Sequence, residues 1–146
     1  GNRLFHICLT IKNLNSWQEY LILGMQISKI IEALENWAPL AWQESYDNAG
    51  LIVGHPENTC TGVLCSLDCT EAVIDEAIAK GCNLIVSHHP IVFKGVKQFN
   101  SNDYVSRVVI KAIQNNIALY AIHTNLDNVL RCGVNERIAK QLGIAK

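Results

Sequence analysis

Apolar residues recur along this chain at two spacings, and each spacing predicts a kind of secondary structure. Four segments carry apolar residues three and four positions apart, which is the spacing of one face of an α-helix. The predicted helices are Ser28–Trp37, Glu71–Lys80, Tyr104–Gln114 and Asn135–Leu142. Short continuous apolar runs bounded by turn residues predict buried strands. The predicted strands are Leu51–Val53, Thr61–Leu67, Asn83–Ser87 and Ile117–Ile122.

The order of these elements predicts the fold class. Strand, helix, strand, helix and strand in succession give βαβ crossovers, so we expect an α/β protein with a mainly parallel sheet and flanking helices. The predicted strand Asn83–Ser87 contains the unbroken apolar run Leu84–Val86, which is typical of a central strand covered on both faces. Asp68 or Thr70 can cap the second helix at its N-terminus, and Gly81 is placed to end it.

Composition narrows the class of protein. The chain has 146 residues, of which 49% are hydrophobic and 17% are charged, so we expect one domain with a true core. The formal net charge of -1 gives no electrostatic reason to expect a nucleic acid or a membrane surface as a partner. Six irregularly spaced cysteines predict reduced, mostly buried thiols in a cytoplasmic protein. If any cysteines ligate a metal ion, Cys65 and Cys69 are the most suitable pair, because Asp68 lies between them.

The first 24 residues differ from the rest of the chain. They hold Trp17, Tyr20 and scattered apolar residues without a clear period, and they match neither a signal peptide nor a membrane span. The only methionine, Met25, opens the first predicted helix. We therefore expect residues 1–24 to be an extension or a non-native segment and residues 25–146 to be the domain. The alternative is an ordinary extension that packs on the domain.

Residues that ligate metals follow two of the predicted strands. His88 and His89 come directly after one strand, and His123, with Asp127 four residues later, follows the next. Imidazole and carboxylate groups are the usual ligands of zinc, manganese and iron. Adjacent side chains on extended backbone point in opposite directions, so both histidines of the pair would not easily chelate one ion. Two arrangements fit this pattern. Each histidine holds its own ion, or one histidine is a ligand and the other is an orienting or acid–base residue. The alternative without a metal is a histidine that bonds a carbonyl at the strand end.

The two groups support each other because neighbouring parallel strands end about 5 Å apart at one edge of a sheet. Asp68 ends another strand at that edge and is available as a further contributor, although a helix cap is its first interpretation. Asp127 taken alone would be a turn residue. His55 fits an exposed loop. Lys94 and Lys97, in the loop after the histidine pair, can meet an anionic substrate.

Three blocks of the sequence resemble a known family. The blocks are Asp47–Gly54 (DNAGLIVG), Ser87–Pro90 (SHHP) and His123–Asp127 (HTNLD). In this order and spacing they are similar to the NIF-three-like family, whose members are often labelled GTP cyclohydrolase I type 2 homologues. The resemblance covers the chain from Ile27 to its end. It implies a NIF-three-like α/β protein that assembles into a toroidal homohexamer with paired divalent ions facing a central cavity.

The resemblance also implies a ligand set. His88 would hold one ion, His89 and Asp127 would hold the other, and His123 would support a ligand without binding an ion itself. The family adds a histidine and a bridging glutamate near its C-terminus, and no such pair follows Asp127 here. We therefore expect this chain to be the N-terminal half of a family member, truncated at its C-terminus. On its own it should bind metal weakly.

The implied function is that of a metal-dependent hydrolase of the GTP cyclohydrolase I type 2-like group. Two divalent ions (zinc, iron or manganese) would activate water and polarise a phosphoryl or ring-carbon centre. A phosphorylated compound or a nucleotide would be the substrate. The alternatives are a metal-binding regulatory or metal-delivery protein without turnover, and an interaction domain with structural ions. The sequence has no GxGxxG, Walker or GxSxG motif that would support another enzyme class.

Overall fold

The computed structural model describes residues 7–10 and 24–144, and within these ranges strands and helices alternate as an α/β protein requires. The strands are β1 (Ile7–Thr10), β2 (Gly50–Val53), β3 (Gly62–Ser66), β4 (Leu84–Ser87) and β5 (Ala118–Ala121). The helices are α1 (Ile27–Trp37), α2 (Glu71–Lys80), α3 (Tyr104–Gln114), α4 (Thr124–Asp127) and α5 (Val134–Gln141), with a 3-10 helix at Leu40–Trp42. The four predicted helices and four predicted strands are all present within one or two residues of their predicted ends.

The described strands form one sheet in the order β1-β3-β4-β5-β2. Its centre is parallel as predicted, because β3 pairs with β4 and β4 pairs with β5 in the same direction. The two edge strands run antiparallel to their neighbours, β1 beside β3 and β2 beside β5. The α/β class is thus confirmed, with a sheet that is parallel in its three central strands and antiparallel at both edges.

Strand β1 lies within the segment that we expected to be an extension. It pairs with β3 in a register that sets Ile7 opposite Cys65 and Thr10 opposite Gly62. This pairing favours the alternative of an extension that packs on the domain. The other residues of the segment up to residue 23 lie outside the described residues, and the dispensability of residues 1–24 stays a prediction.

Helices cover both faces of the sheet. On one face, α2 and α3 pack against every second residue of the central strands, and the buried members are Leu64, Val73, Ile74, Ala77, Ile85, Val108, Ala112 and Leu119. On the other face, α1 packs against the alternate residues, and the buried members include Ile27, Val63, Leu84, Val86, Ala118 and Tyr120. No helix in the described part of the chain is long and apolar enough to cross a membrane.

Helix α2 begins and ends at residues suited to capping. Thr70 is the N-cap, because its backbone is extended and its hydroxyl accepts a hydrogen bond from the Val73 N–H at 3.2 Å. Asp68, the alternative cap, bonds His89 instead. Gly81 ends the helix in the left-handed conformation at φ 68°, which glycine adopts without strain. The helix therefore begins directly after Thr70, which is one of the two N-caps that the sequence predicts.

Replacing Thr70 with alanine removes this cap, and we expect a loss of about 1 kcal/mol of unfolding free energy. For a chain of this size the melting temperature should fall by roughly 3 °C, measured by circular dichroism. Thr70→Ser keeps the hydroxyl and is the matched control, which should melt close to the parent chain. Equal melting of the alanine and serine variants would show that the hydroxyl does not hold the helix.

The antiparallel edge strand β2 sets the position of the segment that precedes it. Gly50, the first residue of β2, lies opposite Ala121, the last residue of β5. Gly54, just after β2, approaches β5 so closely that a Cβ there would lie 2.7 Å from both Cα and Cβ of Ala118. This close approach fixes β2 along β5. Residues 43–49 consequently lie at the carboxyl end of β5.

Candidate metal centre

His88, His89 and His123 meet at the carboxyl ends of β4 and β5. The parallel pairing sets Ser87 opposite Ala121 at the strand ends, so the residues that follow lie side by side. The ring centroids of the three histidines are 5.0 to 5.5 Å apart. One ligand atom from each ring lies within 4.8 Å of the other two, and the three histidines can therefore hold a metal ion.

A bend in the backbone explains why the two adjacent histidine rings meet. The N–H groups of His88 and His89 donate to the carbonyl oxygens of Ser66 and Leu67, at 3.1 and 2.9 Å, whereas consecutive N–H groups of an extended strand point to opposite sides. The Ser87 hydroxyl then donates to the His89 carbonyl oxygen at 2.9 Å and turns the chain. Our expectation that adjacent side chains diverge applies to extended backbone, and it is wrong for this bend. The rings of His88 and His89 lie 5.0 Å apart.

Each of the three histidines already has a hydrogen-bond acceptor at its Nδ1 atom. The acceptors are the Ile122 carbonyl oxygen at 2.9 Å for His88, Asp68 Oδ1 at 2.7 Å for His89, and Asp47 Oδ1 at 2.8 Å for His123. Carbonyl and carboxylate oxygens only accept, so each neutral ring carries its hydrogen on Nδ1. The lone pair is then on Nε2. Proteins orient metal-ligating histidines in this way, so the donor set fits a divalent metal ion.

Asp47 contacts the histidine cluster, and we did not predict this contact. It opens the block Asp47–Gly54, and the residues Asp47–Gly50 are typical of a turn, so its local sequence assigns it no role of its own. Its side chain is fully buried, and it accepts hydrogen bonds from His123, from the Asn48 N–H and from both the N–H and the hydroxyl of Thr124. Burial works to raise the pKa of this carboxyl, but the hydrogen bonds from Thr124, His123 and Asn48 outweigh it and the pKa is lowered. Asp47 is therefore a carboxylate held inside the protein.

Asp127 lies beside the three histidines. It is the last residue of α4, and its N–H donates to the His123 carbonyl oxygen at 3.1 Å. Its Oδ1 lies 3.8 Å from His88 Nε2, whereas the resemblance paired Asp127 with His89. The cluster also includes His123, for which the resemblance implied a supporting role. The individual ligand roles of His88, His89, Asp127 and His123 stay predictions.

Two further candidates from the sequence have other roles in the structure. Asp68 does not cap α2, and it is not one of the clustered residues that can hold an ion. Its carboxylate instead accepts a hydrogen bond from Nδ1 of His89. Cys69 is buried, and this burial raises the pKa of its thiol to about 12, which disfavours the thiolate that a metal needs. Within the described residues, the cluster that can hold an ion contains histidines only.

An exposed aromatic pair lies beside the cluster. The Phe93 ring lies 6.3 Å from the His123 ring, and the Tyr46 ring lies 6.4 Å from Phe93. Both aromatic rings are largely exposed. Lys94 and Lys97 follow in the same loop and are exposed. This side of the histidine cluster is therefore open to a solute.

A partly parallel α/β sheet with three oriented histidines at its carboxyl edge defines an α/β protein with a candidate metal centre. The model of the family Duf34/NIF3 (NGG1p interacting factor 3) matches residues 25–146. The chain belongs to this family. The resemblance inferred from the three sequence blocks is thus confirmed.

Relatives from two bacteria share one description. A Staphylococcus epidermidis protein described as GTP cyclohydrolase 1 type 2 homolog is 47% identical over 120 residues, which are 82% of this chain and 32% of that protein. A Clostridium acetobutylicum protein of the same description is 40% identical over 124 residues, which are 85% of this chain and 46% of that protein. The chain thus spans between a third and a half of the length of these relatives.

Solved structures of family members have the same fold. The crystal structure of Staphylococcus aureus protein SA1388 superimposes with a TM-score of 0.77 at 45% identity, covering 82% of this chain and 34% of that one. A Bacillus cereus protein related to NIF3 superimposes with a TM-score of 0.78 at 37% identity, covering 82% and 33%. The predicted NIF-three-like fold is confirmed.

Proposed function

We propose that this chain is the metal-binding part of a metal-dependent hydrolase of the GTP cyclohydrolase I type 2-like group. The observation that carries the proposal is the convergence of three histidines whose Nδ1 atoms all have acceptors. Three nitrogen ligands with a fourth position open are the usual set of a catalytic zinc site. A divalent ion bound there supplies a Lewis acid and activates water.

The whole protein would use two divalent ions, either zinc, iron or manganese. His88, His89 and His123 offer three nitrogens for the first ion. The Asp127 carboxylate, 3.8 Å from His88 Nε2, offers an oxygen toward the second. Two neighbouring dications repel unless an anion lies between them, and the described residues place no further carboxylate in the cluster. The remaining ligands would come from beyond the described residues.

The surroundings of the cluster support a phosphorylated compound or a nucleotide as the substrate. The exposed rings of Phe93 and Tyr46 can stack on a planar base next to His123. Lys94 and Lys97 supply positive charge in the same loop, which is what a phosphate group requires. The chemistry would be hydrolysis at a phosphoryl or ring-carbon centre.

We further propose that the whole protein is a toroidal homohexamer in the cytoplasm. Helix α5 contributes no buried residue, and Leu130, Ile138 and Leu142 are 89%, 49% and 67% exposed. Apolar side chains exposed to this degree support an association surface. Cys60 and Cys69 are free, buried thiols, as is typical of a reducing compartment.

The hydrolase proposal is tested with a chimera in which residues 25–146 replace the matched part of the Clostridium acetobutylicum relative. We expect metal-dependent release of product from a panel of nucleotides and phosphoesters, and loss of that release when both His88 and Asp127 become alanine. The alternative is a metal-binding regulatory or delivery protein. Tight metal binding by the chimera without turnover on any substrate of the panel would favour that alternative.

The 146-residue chain itself should bind one divalent ion per chain in a calorimetric titration with zinc. One ion can receive three protein nitrogens here, whereas a second would have the Asp127 carboxylate and no bridging anion. We expect mild chelators to remove the ion. A variant with both His88 and His89 replaced by alanine is the control and should show no binding. Two tight sites on the parent chain would contradict the incomplete second site.

A further inference from the structure

We propose that Asp47 is the positioning residue of the metal centre, and that a carboxylate is required at this position because no amide can replace it. The inference rests on the proposed function, since it assigns His123 Nε2 to an ion. It concerns a residue 76 positions away in sequence from the histidine it holds. The structure supports it through the number, direction and chemical type of the bonds that Asp47 receives.

Each oxygen of the Asp47 carboxylate accepts from one donor that cannot reverse. Oδ1 accepts from the Asn48 backbone N–H at 2.7 Å and from His123 Nδ1 at 2.8 Å. Oδ2 accepts from the Thr124 backbone N–H at 3.0 Å and from the Thr124 hydroxyl. The Thr124 hydroxyl oxygen in turn accepts from the Glu44 N–H at 2.9 Å. A backbone N–H is always a donor, so both oxygens must be acceptors.

An asparagine at position 47 would oppose a backbone N–H whichever way its amide turned. With its NH₂ group in the place of Oδ1, it would meet the Asn48 N–H and force His123 to accept at Nδ1, which moves the ring hydrogen to Nε2. With its NH₂ group in the place of Oδ2, it would meet the Thr124 N–H and push away the residue next to His123. The side chain of Asp47 is fully buried, so water cannot relieve either conflict. Both arrangements harm His123 as a ligand.

Asp68 provides a matched comparison beside the same cluster. It holds His89 Nδ1 at 2.7 Å, much as Asp47 holds His123. However, its side chain is 54% exposed, and the hydrogen bond to His89 is the one that the described residues give its carboxylate. An asparagine at position 68 can turn its carbonyl oxygen to His89 and leave its NH₂ group in water. The two aspartates therefore differ in whether an amide can take their place.

The first test needs no metal. Nitrogen-15 NMR of the metal-free chain, in mildly alkaline solution, should show His123 protonated at Nδ1. Asp47→Ala removes the acceptor, and the Nε2-protonated form, which histidine prefers in water, should become the main form at His123. Asp68→Ala is the control and should leave the His123 signals unchanged. A parent chain with His123 protonated at Nε2 would overturn the proposal, and this measurement decides even if Asp47→Ala does not fold.

The second test compares the two amide variants in metal affinity. We expect Asp47→Asn to weaken cobalt binding by about 10- to 100-fold, the usual effect of losing a residue that orients a ligand. Asp68→Asn should stay within a few-fold of the parent chain. Equal losses of cobalt affinity in both variants would overturn the proposal, because the burial of the Asp47 carboxylate would then make no difference. A parent chain that binds no cobalt would refute the proposed function, while the NMR result would still decide the role of Asp47.

Discussion

Replacing His123 with alanine should lower the affinity of the chain for zinc or cobalt as strongly as replacing His88. Structural zinc sites bind with about 10–16 kcal/mol shared among four ligands, so one ligand corresponds to roughly 100- to 1000-fold in affinity. The three rings stand in one cluster with their Nδ1 atoms bonded, and the structure offers no reason to rank His123 below the others. Competition with a chromophoric chelator measures both variants.

This experiment separates the two roles considered for His123. Removing a ligand should lower the metal affinity by at least about 100-fold, whereas removing a side chain that only supports a ligand lowers it by about 10- to 100-fold. His55 is exposed and lies outside the cluster, so His55→Ala is the control and should bind as the parent does. A loss of about 10- to 100-fold for His123→Ala would return this histidine to the supporting role that the family resemblance implied.

Replacing Gly54 with alanine should destabilise the fold by roughly 2–5 kcal/mol, a large effect for a single methyl group. Gly54 has φ 108°, a backbone region that residues other than glycine rarely adopt. The added Cβ would lie 2.7 Å from Cα and Cβ of Ala118, which is buried in β5. The melting temperature should fall by about 5–15 °C.

Gly95 provides the control for this substitution. It lies in an exposed loop, its backbone conformation suits any residue, and a Cβ there would meet open space. Gly95→Ala should change the unfolding free energy by less than about 0.5 kcal/mol. If Gly54→Ala melts within a degree or two of Gly95→Ala, the edge strand β2 is free to shift away from β5, and the position of residues 43–49 is less fixed than the structure indicates.

Local patterns were enough to predict most of the fold. The period of apolar residues located α3 at Tyr104–Gln114, with both ends as observed, because that helix has a clear buried face and turn residues beside it. The run Leu84–Val86 identified a central strand because consecutive apolar residues place apolar side chains on both faces. The direction of an edge strand has no such signature. Neither the antiparallel course of β2 nor the pairing of β1 follows from the residues inside those strands.

The histidines of the site were predictable, but their support was not. His88, His89 and His123 could be placed because the ends of parallel strands meet at one edge of a sheet. The bend that joins the first two depends on one hydroxyl bond from Ser87, which extended backbone geometry does not foresee. Asp47 was hidden because a turn aspartate and a buried acceptor have the same local sequence. Only the antiparallel course of β2 brings it to His123.

The bonds that hold His123 and Thr124 join residues 76 to 80 positions apart in sequence. Contacts that close such long loops form slowly, after the local helices and the hairpin-like turns. A refolding chain should therefore gain its ability to capture cobalt in its slowest phase, after most of the helical signal has returned. Bound metal would then stabilise only the finished molecule, by an amount that grows with the logarithm of the metal concentration. In a cell, the supply of metal would then add to the stability of the finished molecule without speeding its formation.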